Sequence, residues 1–305
     1  MEVAGVTPSR ASTDDISYRL APLLNAPGRM EHPQLSLDLL LAKAPRRAAE
    51  IARKIAEVNI RRQKLTRQLV QEAGQGIDLS APIVFAANMD WPAGLVGLVA
   101  GQLAKKYNRP AVIIGGNGRH AVGSARTANG INILEGLRSA GHYAMRVGGH
   151  AQAAGFSLAL PQIEQFRDAL YEYFHDQQDK PHSEEAVLTA DALIDASLLN
   201  WSVHEMLETF APFGAENSRP VLAVHGVPLL EARPVGKHGQ HLKFRFHLPH
   251  GELDAIGFGL AEKLGALGRE IDVLGSLEIN EFRGRPGLQM QVKDIAVPEH
   301  AMLAA

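Results

Sequence analysis

The chain of 305 residues contains no cysteine, which excludes disulfide bonds and thiolate metal sites. Any metal would have to be bound by His, Asp or Glu. The sequence also lacks an apolar run near the roughly 20 residues needed to span a bilayer. Residues 1–15 have neither the basic leader nor the apolar core of a signal peptide. We therefore expect a cytoplasmic globular protein without a membrane segment.

Positive charge is not in excess either. The 31 Lys and Arg are balanced by 33 Asp and Glu, whereas many nucleic-acid-binding domains are basic overall. Any basic surface must therefore be local. The clearest charge asymmetry lies in residues 46–73, where only three glutamates accompany Arg46, Arg47, Arg53, Lys54, Arg61, Arg62, Lys64 and Arg67.

The same segment has helical periodicity. In residues 45–74 apolar side chains recur at spacings of three, four and seven, and Arg62 interrupts the apolar stripe. Pro45 suits the first turn and Gly74 the C-cap of one long amphipathic helix. The helix is either a solvated connector between two domains or, in the sharper alternative, a direct contact of its arginines to phosphate.

The length of the chain suggests two domains. Residues 1–44 hold too little apolar sequence for a core of their own. Residues 75–180 alternate β-rich and helical runs, which predicts an α/β domain with a largely covered sheet. The predicted strands are 83–87, 111–115 and 156–160, and the predicted helices are 93–107, 131–140 and 162–174.

A polar, unpatterned stretch at 176–185 reads as a linker. In residues 186–298 the pattern changes to five short alternating strands, with one predicted helix at 260–267. This number of strands and the single inserted helix are typical of a small Greek-key barrel of the OB type. The predicted fold class is therefore α/β plus all-β, with a long connector helix before the α/β domain.

One glycine-rich run, Gly148-Gly-His-Ala-Gln-Ala-Ala-Gly155, has features of an anion site. Gly148 and Gly149 let backbone approach a ligand closely, and His150 can donate to an anionic oxygen. The small residues after His150 suit a helix whose amino terminus points at phosphate. The run predicts a phosphate cradle, and the alternative is a tight turn with a satisfied histidine.

Two further runs suggest anion contacts. If residues 123–127 form a strand, Ser124 and Arg126 point to one face, where hydroxyl and guanidinium can share a phosphodiester. The alternative is an edge-strand arginine in solvent. Arg29 ends a glycine-containing turn at 25–29, for which a capping or turn role is the alternative.

The last domain contains histidines and aromatics with two interpretations. Histidine pairs spaced by three within 238–250 fall on opposite faces of a strand, so we expect no metal there. Phe244, Phe246 and Phe282 either stack on bases or fill the barrel core.

In their order along the chain, these runs resemble the RecJ exonuclease family of the DHH phosphoesterase superfamily. The first group comprises Asn25-Ala-Pro-Gly-Arg29, Trp91-Pro-Ala-Gly-Leu-Val-Gly97, Tyr107-Asn-Arg-Pro110, Gly123-Ser-Ala-Arg126 and Gly148-Gly-His-Ala-Gln-Ala-Ala-Gly155. The second group resembles the family's OB domain and comprises Pro212-Phe-Gly-Ala-Glu-Asn217, His241-Leu-Lys-Phe244, Ala255-Ile-Gly-Phe258, Asn280-Glu-Phe-Arg-Gly284 and Leu288-Gln-Met-Gln-Val-Lys-Asp294. The resemblance covers essentially the whole chain. Pro92 and Glu216 depart from the family's pattern, so neither is assigned a role.

The resemblance implies a 5′-to-3′ exonuclease on single-stranded DNA in repair and recombination, whose Mn²⁺ or Mg²⁺ activates a water on the scissile phosphate. In the family an amino-terminal domain with an Asp-His-His signature holds these metals, and this sequence contains no such signature. We therefore expect residues 1–44 to be the end of that domain, and this chain to hold neither metal nor catalytic residues. The alternatives are a non-catalytic single-strand-binding or scaffold subunit and, more weakly, an oligonucleotide or cyclic-dinucleotide phosphodiesterase.

On matching positions, the resemblance assigns the substrate phosphate to Arg29, Ser124, Arg126, Gly148, Gly149 and His150. Further candidates for DNA contact are Asn25, Arg109, Phe244 and Phe282. Besides single-stranded DNA, the expected partners are the metal-binding domain and other repair proteins, and the expected state is a monomer.

Overall fold

The computed structural model describes residues 1–116, 118, 120–127, 130–178, 187–280 and 286–296. The chain divides into two compact units, Met1–Ala186 and Val187–Ala305. The first is an α/β unit that opens with helices, and the second contains a closed β-barrel. No helix in the described ranges is long and apolar enough to cross a membrane.

The first unit begins with three α-helices: α1 (Ala21–Met30), α2 (Gln34–Leu41) and α3 (Pro45–Gln75). Two 3-10 turns, Glu2–Ala4 and Pro8–Arg10, and a π-helical segment, Asp15–Leu20, precede them. The long connector helix is confirmed: α3 has Pro45 in its first turn and buries Ile51, Ile55, Val58 and Leu69. It runs one residue past Gly74, and Gly76 follows it.

The prediction of a turn at 25–29 was wrong, because these residues lie inside α1. Proline in a helix interior costs roughly 3 kcal/mol, since it removes one backbone N–H and its ring crowds the preceding turn. Here Ala26 and Pro27 are buried, and α1 packs along α3. Burial against α3 therefore outweighs the local preference of the Pro-Gly pair for a turn.

The α/β part of this unit is a five-stranded sheet in the order β1-β2-β3-β5-β4, in which β1 and β2 are parallel and the other pairs antiparallel. Its strands are β1 (Val84–Pro92), β2 (Ala111–Gly116), β3 (Ala121–Arg126), β4 (Ala144–His150) and β5 (Ala153–Leu158). Its helices are α4 (Ala93–Tyr107), α5 (Ile133–Ser139) and α6 (Ile163–Gln178).

The two faces of this sheet are covered differently. On one face, α4 packs on β1, β2 and β3, with Leu95, Val99 and Leu103 fully buried. On the other face, a second core includes Phe156, Phe166 and α5. The first face is thus covered only as far as β3, which leaves parts of β5 and β4 exposed next to α4.

The helix expected after Gly148–Gly–His150 does not exist. Strand β4 ends at His150, residues 151 and 152 form a turn, and β5 returns antiparallel to β4. Pairing of β5 with β3 stabilises this hairpin, because an antiparallel ladder provides hydrogen-bond partners for the backbone N–H and C=O groups of both strands. Any anion site here is therefore built on a β-hairpin, without a helix amino terminus.

The second unit has a barrel of five strands, in which β7 and β10 close the order β10-β11-β9-β8-β7. The strands are β6 (Ala192–Leu193), which extends the sheet beside β7, β7 (Leu222–Val235), β8 (His241–Leu248), β9 (Gly251–Gly257), β10 (Glu270–Asn280) and β11 (Gly287–Ala296). A helix missed in the sequence, α7 (Trp201–Glu208), precedes the barrel. The helix predicted at 260–267 is a 3-10 segment, Ala261–Ala266.

Phe244 and Phe246 alternate along β8 with polar residues and point into the barrel. They are 1% and 0% exposed and stack on each other at 5.8 Å between ring centroids. Neither ring can offer a face to a base, so the suggestion that Phe244 contacts DNA was wrong. The alternative, that these rings fill the core, is what the structure shows.

Candidate nucleic-acid interface

Pairing across β3, β5 and β4 aligns the predicted anion-binding residues on one face of the sheet. Arg126 lies opposite Ala153, which lies opposite His150; Ser124, Gly155 and Gly148 form the neighbouring row. Residues directly opposite in an antiparallel pair point to the same face. With strands about 4.8 Å apart, Arg126 and His150 lie roughly 10 Å apart across a floor of small residues. We call these six residues the open patch.

Within the open patch, Ser124 positions Arg126. One guanidinium nitrogen, Nη1, donates to the Ser124 Oγ and to the carbonyl oxygen of Ala125, both at 2.8 Å, and to that of Ala154 at 3.4 Å. Ser124 is buried, with 9% of the residue exposed. Nε and Nη2 make no hydrogen bond to the described residues, so these donors remain available to a ligand.

Two glycines of α4 bring Arg29 and Arg126 against this helix. A methyl group at Gly94 would overlap the Arg29 carbonyl oxygen, so only glycine lets the end of α1 approach here. A Cβ at Gly97 would lie 3.1 Å from both the Arg126 Nη2 and the Ser124 Oγ. Helix α4 therefore connects the Arg29 side of the interface to the open patch.

Arg29, Arg62 and Arg126 form a cluster of like charge, which we call the arginine trio. Burial lowers the pKa of Arg126, and the nearby positive charge of Arg29 lowers it further; the same two causes lower the pKa of Arg62. In the described part of the chain none of the three pairs with a carboxylate, whereas Arg61 meets Glu31 at 3.0 Å. Because arginine stays protonated in proteins, this mutual repulsion favours a bound anion.

The hairpin strand β4 contributes the far edge of the open patch. Gly149 has a φ of 143°, and a Cβ there would lie 2.5 Å from the Ala153 oxygen, so the backbone itself requires glycine. Gly148 and His150 are exposed, and space is open where a side chain at Gly148 would stand. Arg146 lies two residues before Gly148 on β4 and therefore points to the same face of the sheet. It was not predicted from the sequence; it is exposed and in register with Ser157.

Three other residues predicted to contact DNA are Asn25, Arg109 and Phe282. Asn25 is exposed one turn before Arg29 on α1, which places both on one side of that helix. Arg109 donates through Nη1 to the carbonyl oxygens of Leu79 and Ala81 at 2.6 and 2.9 Å, which ties it to the segment before β1; its contact with DNA stays a prediction. Phe282 lies outside the described residues.

In the barrel unit, the candidate binding surface is a groove of about 800 Å³ that includes Arg233, Lys243 and Phe258. Phe258 is 58% exposed, and its ring meets that of His241 edge-on at 5.1 Å. Lys243 is paired with Asp254 at 2.8 Å, so the groove offers little unpaired charge. An exposed ring and compensated charges favour base stacking over phosphate attraction.

Comparison with known proteins identifies both units. Residues 80–176 match the DHHA1 domain and residues 190–294 the RecJ OB domain. The chain is 30% identical over 311 residues to the single-stranded-DNA-specific exonuclease RecJ of Bacillus subtilis, covering 98% of this chain and 39% of that protein. It is 30% identical over 287 residues to RecJ of Thermus thermophilus, covering 93% and 40%.

Solved structures agree with the sequence matches. The crystal structure of Thermus thermophilus RecJ in complex with Mg²⁺ superimposes with a TM-score of 0.77 at 28% identity, over 98% of this chain and 45% of that chain. The complex with Mn²⁺ gives a TM-score of 0.76, over 98% and 43%.

The fold and the site therefore define a protein with a DHHA1 α/β domain followed by an OB domain. The chain is a homologue of the RecJ single-stranded-DNA-specific exonucleases along nearly its whole length. It spans about two-fifths of the length of the two relatives named above.

The metals of these relatives do not fit the side chains described here. RecJ crystal structures contain Mn²⁺ or Mg²⁺, which prefer several oxygen ligands. Across residues 1–178 and 187–296, as far as they are described, no group of three or more His, Asp or Glu could hold an ion.

Proposed function

We propose that this chain is the part of a RecJ-type 5′-to-3′ exonuclease that holds single-stranded DNA in repair and recombination, and that hydrolysis requires joining to a metal-binding domain. The observation that supports this most directly is the arginine trio beside the open patch. None of its three cations pairs with a described carboxylate, Arg126 itself belongs to the open patch, and the chain is homologous to exonucleases specific for single strands.

In this proposal a backbone phosphate sits at the edge of α4. Nε and Nη2 of Arg126 and the guanidinium of Arg29 bind its oxygens, because guanidinium groups match phosphate geometry with paired donors. His150 on β4 donates a hydrogen bond to the same phosphate. Gly148 has no side chain and lets the DNA strand come close to the sheet. Phe258 in the barrel stacks on a base, which tolerates any sequence.

The experiment measures binding and cleavage with the same purified full chain. We expect it to bind a 3′-labelled oligo-dT in a salt-dependent manner and to leave this oligonucleotide intact with Mn²⁺ or Mg²⁺. A blunt duplex of the same length is the control for single-strand preference. Robust metal-dependent degradation would refute the division between binding here and hydrolysis elsewhere. Equal affinity for the duplex would refute single-strand specificity.

A second candidate function is a non-catalytic single-strand-binding or scaffold subunit. It is favoured by the lack of an Asp-His-His segment in this sequence and of a metal-ligand cluster among the described residues. Reading the genomic frame before Met1 separates the two: codons for an Asp-His-His domain in frame support the exonuclease, and an upstream stop codon supports the subunit. Association with other repair proteins and a monomeric state stay predictions under either.

A further inference from the structure

A second basic groove lies between α3 and α4. Its volume is about 180 Å³, and its lining residues are Arg62, Gln63, Thr66, Arg67, Leu98 and Gln102. Among the described residues, this lining includes two cations and no carboxylate. Pockets for drug-sized ligands typically measure roughly 300–1,000 Å³, so the groove suits a single phosphate group better than a nucleoside.

Thr66 lines this groove, and its buried hydroxyl lacks a hydrogen-bond partner among the described residues. The residue is 4% exposed, and its Oγ1 has no hydrogen-bond partner in the described structure. A helical threonine can satisfy its hydroxyl at the carbonyl four residues earlier, but Thr66 does not. A buried hydroxyl without a partner is unfavourable, so a ligand oxygen that accepts from it would be stabilised.

The two cations of the groove form no ion pair with a described carboxylate. Arg67 is exposed and forms no ion pair with a described carboxylate. Arg62 donates through Nε to the Asn59 Oδ1 at 3.1 Å, which orients the guanidinium without neutralising it. Arg62 lines this groove and also belongs to the arginine trio.

We propose that this groove is a second phosphate subsite, at which Thr66, Arg67 and Gln102 bind one further backbone phosphate of the single strand, next to the one held by Arg126. This rests on the proposed function for its natural ligand. A free inorganic phosphate has the same chemistry, and the experiments below separate the two sources.

The first test compares two charge-removing substitutions on the same helix. Arg67→Gln should lower the slope of log affinity for oligo-dT against log salt by about 0.7, the value for one single-strand phosphate contact. Lys64→Gln removes an exposed cation that does not line the groove, and its slope should stay near wild type. Equal losses for the two variants would overturn the subsite. If the subsite fails this test, a large loss of oligo-dT affinity in Arg126→Ala would still support the proposed function.

The second test concerns the buried hydroxyl. Thr66→Val keeps the shape, so we expect an unchanged or higher melting temperature together with a roughly five- to tenfold weaker affinity for oligo-dT, the loss of one hydrogen bond. Thr66→Ser should restore the affinity. Unchanged affinity in Thr66→Val would overturn the subsite.

Titration followed by NMR of the Arg67 side-chain Nε–H distinguishes the sources. A shift with oligo-dT and not with inorganic phosphate indicates the strand, and a shift with both indicates a general phosphate site. No shift with either overturns the inference. If the wild-type chain binds no single strand, the proposed function fails, and the phosphate titration alone decides whether the groove binds phosphate.

Discussion

Arg126→Ala is the most direct perturbation of the proposed interface. A hydrogen bond to a charged group contributes about 1.5–3 kcal/mol, so the dissociation constant for oligo-dT should rise about 10- to 150-fold. The salt slope should fall by about 0.7, because one phosphate contact is lost. The fold should tolerate the change, since removing one member of the arginine trio also relieves repulsion with Arg29.

The assay is fluorescence anisotropy of 3′-labelled oligo-dT at several salt concentrations. Arg138→Gln is a matched control, because it removes one exposed cation from α5, which packs with the core on the other face of the sheet. Circular dichroism melts check that both variants stay folded. If Arg126→Ala and Arg138→Gln have the same affinity and slope, Arg126 is not in the interface and the reasoning fails.

The other predictions test the surroundings of this arginine. Gly97→Ala places a methyl group against the Arg126 side chain and should weaken oligo-dT binding with little change in melting temperature; unchanged affinity would contradict the close packing. Arg146→Gln should lower the salt slope by about 0.7 if β4 carries a phosphate contact. Phe258→Ala should cost about 1–3 kcal/mol of single-strand binding and leave urea unfolding unchanged. Phe246→Ala should instead lower the free energy of unfolding by about 3–5 kcal/mol, and the opposite pattern would reverse the assignment of surface and core rings.

Much of the fold follows from local patterns. The connector helix and α4 were predicted closely, with α4 at the same bounds, because long apolar periodicity depends on neighbours within a few turns. Strand β8 of the barrel alternates strictly between buried apolar and polar residues. Such alternation is visible without knowing which strands pair.

The wrong predictions concern segments whose conformation depends on packing against distant parts of the chain. Local sequence favours a turn at the Pro-Gly pair of 25–29, and only contact with α3 makes a helix there favourable. The hairpin at 148–155 depends on β3, some 25 residues earlier, as the partner of β5. Likewise, the proximity of Arg62 to Arg29 arises from the packing of α1 on α3 and has no local signal. The only hint in the sequence was that Arg62 interrupts the apolar stripe.

That interruption leads to a last prediction, in which stability and binding move in opposite directions. Arg62→Leu would complete the apolar stripe of α3 and remove repulsion from Arg29, at the cost of the hydrogen bond to the Asn59 Oδ1. Substitutions that relieve such conflicts commonly raise the free energy of unfolding by about 0.5–2 kcal/mol, and the lost bond, about 1 kcal/mol, offsets part of this gain. We therefore expect a melting temperature equal to or above wild type, together with weaker oligo-dT binding. A clear loss of stability with unchanged binding would show that Arg62 stabilises the fold and takes no part in holding the strand.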